Sequence, residues 1–246
     1  MRAISCLSPN FDERAPGKAI DMLVLHYTGM VTMEAALSRM LDAAAKVSAH
    51  YMIDEYGTLY RLVDEDRRAW HAGVGYWAGE RDINSVSIGI ELVNPGHAYP
   101  GYRGGYRAFP EAQMETLLGL AREIMDRHGI PPQRVLGHSD VAPARKADPG
   151  ELFDWDRLAA EGLAVMPRQV RTGEGPILKR GSSGAAVSNF QQRLGQIGYE
   201  IEATGIFDES TEMVVTAFQR HFRRALVDGI ADRETQGCLS ALLEQF

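Results

Sequence analysis

Apolar and polar positions alternate along the first two thirds of the chain in short blocks of different period. Met22-Leu-Val-Leu-His26 is a continuous apolar run ending in a histidine, the pattern of a buried strand. Residues 32–46 are alanine-rich behind a threonine and predict a helix. Ser48–Asp54 and Thr58–Val63 flank Glu55-Tyr56-Gly57, which predicts a hairpin. Val86–Val93 is a second buried strand, Pro110 opens a helix that runs to His128 with Gly129 as its stop, and Arg134-Val135-Leu136 is a third apolar run. Between them, residues 94–109 form a long loop of glycine, tyrosine and arginine, the kind of loop that often binds ligands. Phe153–Leu158 begins a last short helix. This alternation predicts an α/β domain with a mixed central sheet flanked by helices.

Beyond residue 166 the pattern becomes helical alone. Val187, Phe190 and Leu194 share one helix face, as do Val214, Val215, Phe218 and Phe222 on another. A weak internal repeat, Gly205-Ile-Phe-Asp208-Glu-Ser-Thr211 against Gly229-Ile-Ala-Asp232-Arg-Glu-Thr235, places a turn before an aspartate helix cap twice. The expected organisation is a catalytic domain over 1–166, a glycine- and proline-bearing linker over 167–176, and a small all-α three-helix domain over 177–246.

Composition narrows the function classes. The 246 residues carry a net charge of −7, and acidic groups outnumber basic ones in both parts, 23 to 19 over 1–172 and 10 to 7 over 173–246. No basic excess exists for nucleic acid to find. Cys6 and Cys238 form no CxxC pair and no disulfide framework. The N-terminus lacks the apolar core of a secretory signal and no run approaches ~18 apolar residues, so the expectation is a cytoplasmic protein with no membrane partner.

The chemistry concentrates in Gly137–Gly150, G-H-S-D-V-A-P-A-R-K-A-D-P-G. Histidine and carboxylate are zinc ligands, and a catalytic zinc needs three protein ligands and one open position. His138 and Asp148 can supply two of them. Lys146 lies two residues before Asp148, so an extended segment would put both on one side, where a cation stabilises an oxyanion. His26 ends a strand and is placed to point into a cleft. Glu91 sits inside the apolar run 86–93, a costly position for a carboxylate unless it is paired, bound to metal or functional.

These pieces together resemble the zinc-dependent N-acetylmuramoyl-L-alanine amidases, the family that also holds phage amidases and peptidoglycan recognition proteins. The resemblance is carried by His26, Val47-Ser-Ala-His50, Arg68-Ala-Trp70-His71-Ala-Gly73, Ser87–Leu92 and Gly137–Gly150, in the family's order over roughly residues 20–158, and it leans toward the AmpD branch. The second part is similar to the helical peptidoglycan-binding module, through Gly184-x-x-Val187, Phe190-Gln191, Gly205-x-Phe-Asp208, Phe218-Gln219 and Asp228-Gly229. The resemblance implies zinc held by His26, His138 and Asp148, Glu91 as general base and acid, and Lys146 beside the carbonyl oxygen. It implies that His50, Trp70 and His71 line or support the cleft, with Lys46 or Arg145 reading a stem-peptide carboxylate. The expected reaction cuts the amide between the lactyl group of N-acetylmuramic acid and L-alanine, in muropeptide recycling by a monomer. Action on intact wall outside the cytoplasm, or binding of peptidoglycan without cleavage, are the alternatives.

Overall fold

The computed structural model describes residues 2–245. Eight strands and eight α-helices follow in the order β1 (Ile4–Ser5), β2 (Phe11–Glu13), β3 (Met22–Tyr27), α1 (Met33–Leu41), β4 (Tyr51–Ile53), β5 (Leu59–Arg61), β6 (Arg67–Ala69), α2 (Ile83–Val86), β7 (Ser87–Leu92), α3 (Glu111–His128), β8 (Val135–Gly137), α4 (His138–Val141), α5 (Trp155–Ala160), α6 (Ala185–Ile197), α7 (Glu209–Phe222) and α8 (Arg233–Leu243). The fold is the mixed α/β architecture expected. Its six-stranded sheet has the order β1-β5-β4-β7-β3-β8, parallel except for the β4–β5 hairpin, while β2 and β6 form a separate antiparallel pair.

Strand alternation divides the sheet into two chemically different faces. Leu23, Leu25, Ile88, Ile90 and Leu92 meet Met114, Leu117, Leu120, Ala121 and Ile124 of α3 in one core. Gly129 ends α3 in the left-handed region (φ 69°), as a C-terminal glycine does. The opposite face carries Met22, Val24, His26 and Glu91. Parallel pairing sets His26 level with Glu91 at the C-terminal end of neighbouring strands, where open α/β sheets place their ligands.

The helix expected over 32–46 is shorter. Thr32 caps α1 by accepting from Ala35 N, as its sequence position suggested, but Asp42 is extended and instead starts a separate 3₁₀ turn, Ala43–Ala45. Aspartate competes with the helix by bonding nearby backbone, here Ala44 N at 2.9 Å.

The C-terminal helices show the repeat in full. Asp208 and Asp232 each accept from the backbone N–H three residues on, Thr211 and Thr235. Buried Gln191 donates to Ile206 O and accepts from Gly205 N, and Gln219 repeats this with Ile230 O and Gly229 N. These helices are packed hard against the sheet domain. Met22, Val24, Trp77, Val141 and Leu136 share one core with Val187, Leu194, Tyr199, Val214, Phe218 and Phe222. Gly198 takes φ 134° where a Cβ would stand 2.6 Å from the Trp77 ring, so the backbone itself lies on that indole. Segment 167–176 is irregular and runs along α8, with Gly173 N donating to Arg233 O at 2.9 Å.

Candidate active site

Three side chains from distant parts of the chain converge beyond the ends of β3 and β8. His26 is on β3, His138 opens α4 directly after β8, and Asp148 follows ten residues later. His26 Nδ1, His138 Nδ1 and Asp148 Oδ2 form a triangle with sides of 2.9, 3.1 and 3.1 Å. All three residues are buried.

The hydrogen bonds fix the tautomers. Ser87 Oγ donates to Ile83 O at 2.6 Å, so it accepts from His71 Nε2 at 3.1 Å. His71 Nδ1 is then a lone pair and accepts the Nε2 proton of His26 at 3.0 Å. That leaves His26 Nδ1 bare. His138 donates through Nε2 to Ala72 O at 2.9 Å, and its Nδ1 is bare as well. Two imidazole lone pairs and a carboxylate oxygen therefore face each other with no proton between them. Such a set repels itself unless a cation stands at its centre. Ligands at roughly 2.0–2.1 Å around a tetrahedral ion lie about 3.3 Å apart, close to the triangle seen. The donor set fits a divalent metal, and the bonds from His71 and Ala72 are the outer contacts that orient metal-binding imidazoles.

The electrostatics agree. Burial, reinforced by neighbouring His138, pulls the His26 ring down to about 4, so the ring stays neutral at pH 7. Burial by itself would raise Asp148, and protonated rings at His138 and His26 would hold its carboxyl low against that rise; with both rings neutral, that stabilisation has to come from a cation. Glu91 goes the other way. Burial first, then the Asp148 charge, push it up to about 8 against the opposing effect of Lys146, and its Oε2 has no hydrogen-bond partner. A bare carboxyl oxygen of raised proton affinity beside a metal site is suited to acid–base work.

The cleft over these groups holds about 590 Å³. His71, Glu91, His138, Asp148, Arg145 and Lys146 all line it. Arg145 also donates to the carbonyls of Ala72 and Val74, which ties the loop carrying His71 to the loop carrying Asp148. Three residues expected at the cleft lie outside its lining. His50 is buried behind His71, accepting from Gly89 N at 2.9 Å through Nδ1 and facing Arg67 O through Nε2. Gly89 is what lets the His71 ring in, since a Cβ there would stand 2.4 Å from it. Trp70 points the opposite way from His71, and its indole donates to Asp12 Oδ2 at 2.7 Å. Lys46 is exposed at the end of the 3₁₀ turn in a left-handed conformation (φ 49°), which swings it away.

Other lining residues were not singled out in the sequence: Tyr27 and Arg39, Val47 of the Val47–His50 motif, and His97 and Tyr99 of the loop expected to bind ligand. Tyr27 directly follows His26, and His97 is the only histidine of loop 94–109. Those positions were the available signal. His97 stacks on Tyr106 at 4.1 Å, bonds Tyr27 Oη at 3.1 Å and meets the Glu151 carboxylate at 3.1 Å, so the long loop is a fastened wall.

Comparison with known proteins matches both parts of the chain. The N-acetylmuramoyl-L-alanine amidase profile covers residues 16–151, and a peptidoglycan-binding domain profile covers 183–239. N-acetylmuramoyl-L-alanine amidase AmiD of Escherichia coli (strain K12) is 35% identical over 234 residues, 92% of this chain and 83% of that protein. The 1,6-anhydro-N-acetylmuramyl-L-alanine amidase AmpD of Haemophilus influenzae is 33% identical over 168 residues, 61% of this chain and 86% of its own length. A structure of the E. coli AmiD in complex with anhydro-N-acetylmuramic acid-L-Ala-D-γ-Glu-L-Lys superposes with a TM-score of 0.80 at 32% identity, covering 96% of this chain and 98% of that one. With more than half of its length in the amidase profile, this protein belongs to the N-acetylmuramoyl-L-alanine amidase family.

Proposed function

We propose that this protein is a zinc-dependent amidase that cuts the bond between the lactyl carbonyl of (anhydro-)N-acetylmuramic acid and the nitrogen of L-alanine, on soluble muropeptides in cell-wall recycling. The observation that carries this reading is the triangle of three unprotonated donors, His26, His138 and Asp148, beside the bare carboxyl oxygen of Glu91. Two imidazoles and one carboxylate make a three-ligand set suited to catalytic zinc. A zinc ion held there supplies Lewis acidity, which polarises a carbonyl and brings the pKa of water to about 7.

The chain's own residues handle the protons. Glu91 takes one from the attacking water as the new C–O bond forms, and returns it to the alanine nitrogen as the C–N bond breaks. The products are a lactyl carboxylate and a peptide with a free amino terminus. Burial and the Asp148 charge raise the proton affinity of this carboxyl, which lets it hold the proton between the two steps, while a cation in the triangle would lower that affinity enough for the group to start as the base. The Lys146 ammonium, in the cleft lining, offsets negative charge on the carbonyl oxygen, a contribution of ~3 kcal/mol per donor at such sites. His71 and the Ala72 carbonyl keep both histidines in the required tautomer.

The anhydro-muropeptide in the AmiD structure supports a soluble anhydro substrate for this chain. Action in the cytoplasm belongs to the same reading, and cell fractionation checks it. Among the described residues no helix is long and apolar enough to cross a membrane. The peptidoglycan-binding profile over 183–239 favours a second reading, hydrolysis of intact wall outside the cytoplasm. Mass spectrometry after incubation with anhydro-muropeptide and with sacculi separates the readings. Free peptide from the soluble substrate supports the first, and release from sacculi the second. Fragments keeping L-alanine on the sugar would overturn the bond assignment, and intact substrate in both would leave a binding protein.

A further inference from the structure

The cleft does not stop at Lys146. A groove of about 380 Å³ continues from it between the Pro143–Ala147 turn and helix α7, and shares Arg145, Lys146 and Ala147 with the cleft. Its far wall belongs to the C-terminal module and includes Glu209, Glu212 and Arg220. The two glutamates are engaged by Arg180, at 3.0 and 3.3 Å. Arg220 makes no direct side-chain hydrogen bond or ion pair to any described residue, and its Nε has no acceptor, although its charge helps hold the nearby Glu151 carboxyl below its ordinary value. Nor is Arg220 remote from the cleft, since its charge acts on Tyr27 in the cleft wall.

The substrate class has a complement to offer. The muramoyl sugar is uncharged beside the scissile amide, whereas a γ-linked glutamate in the stem, as in the AmiD ligand, leaves its α-carboxylate free. That carboxylate is one residue beyond L-alanine, within ~7 Å of extended chain from the bond cut. Neither Lys46, exposed outside the cleft, nor Arg145, occupied by two carbonyls, is as free to meet it. We propose that Arg220, supplied by the C-terminal module, receives this stem-peptide carboxylate in the groove beside Lys146, so that the second domain completes the substrate site. The planar guanidinium fork matches a carboxylate in two bonds. The inference rests on the amidase reading and adds to it a role for the module.

The test compares anhydro-N-acetylmuramic acid-L-Ala-D-γ-Glu-L-Lys with the same compound amidated at the glutamate α-carboxyl, using the full zinc-loaded chain. Wild type should prefer the carboxylate form by ~10–100-fold in kcat/KM, mostly through KM, as a charge-assisted pair implies. Arg220→Ala should lose that preference while turning over the amidated substrate as wild type does. Arg220→Lys should keep part of it. Arg220→Gln replaces Arg220→Ala if the latter melts early. Preference retained in the neutral variants overturns the proposal. So does its loss on Arg39→Ala, the exposed cation elsewhere along the cleft. Calorimetric binding of both compounds to Glu91→Gln repeats the comparison without turnover. A chain that discriminates in binding yet cuts neither compound sinks the amidase reading alone, while equal binding of the two sinks the subsite.

Discussion

Removing a single oxygen from the C-terminal module should weaken a metal site in the other domain. Asp140 lies two residues past His138 and is buried, and three donors meet its carboxylate: Gly137 N at 2.8 Å, Tyr199 Oη at 2.6 Å and His221 Nδ1 at 2.7 Å. Two of the three come from the module. Burial and the Asp140 charge hold the Tyr199 hydroxyl well above its ordinary pKa, so it stays a donor throughout the working range. Tyr199→Phe deletes that bond and little volume. Hydrogen bonds to charged groups contribute ~1.5–3 kcal/mol. At ~2–4 °C per kcal/mol for a chain of this length, the zinc-loaded variant should melt ~3–12 °C below wild type. Because Asp140 ties Gly137 to α4, whose first residue is His138, zinc affinity should also fall, by ~10-fold or more as for other outer contacts. Thermal melting and competition against a chromophoric chelator read the two effects. A variant that melts within about 1 °C of wild type with unchanged zinc affinity refutes this coupling.

Glu91→Gln should keep zinc and fold while turnover falls by ~10²–10⁴, checked by metal analysis and product release. The metal-free protein gives a pH signature with a defined sign. Glu91 is raised to about 8, so between pH 6.5 and 8 the folded chain holds a proton the unfolded chain has lost, and stability falls as pH rises. The depressed histidines His26, His50 and His71 make stability rise with pH up to and through their unfolded value of 6.5, so they offset the Glu91 effect at the lower edge of that window and leave it dominant only towards pH 8. Melting of the chelated wild type should therefore drop towards pH 8 and that of Glu91→Gln should not, and parallel curves would contradict this. Gly89→Ala drives a Cβ to 2.4 Å from the His71 ring, so it should cost ~1–3 kcal/mol and most of the activity through a displaced His26, whereas wild-type kinetics would mean His71 is not needed for orientation. A chain ending at 166 should aggregate or unfold, because Trp77 and Val24 lose the apolar surface that covers them; a sharp melting transition in that truncation would show the halves to be independent.

Local signals in the sequence carried the long elements. The largely apolar six-residue strands β3 and β7, the proline and glycine that bracket α3, and the aspartate caps of α7 and α8 act within a few residues of where they are written. Motif spacing pointed to two of the three donors, because His138 and Asp148 share one loop, and the family resemblance added His26. The two- and three-residue strands β1, β2 and β6 and the four-residue helices α2 and α4 were not legible, since none spans enough positions to show a period. Nor could the direction of Lys46, Trp70 and His50 be read, because a left-handed backbone turns Lys46, a bond to Asp12 holds Trp70 and a bond from Gly89 N holds His50.

What the sequence determined by itself was therefore which residues are able to bind metal, cap helices and fill a core. Tertiary structure decided which of them meet. Parallel register sets His26 beside Glu91 across 65 positions of chain, and the docked module brings Tyr199, His221 and Arg220 to the catalytic loop. Those encounters depend on how apolar faces fit together at a distance, and no local pattern of residues encodes that fit.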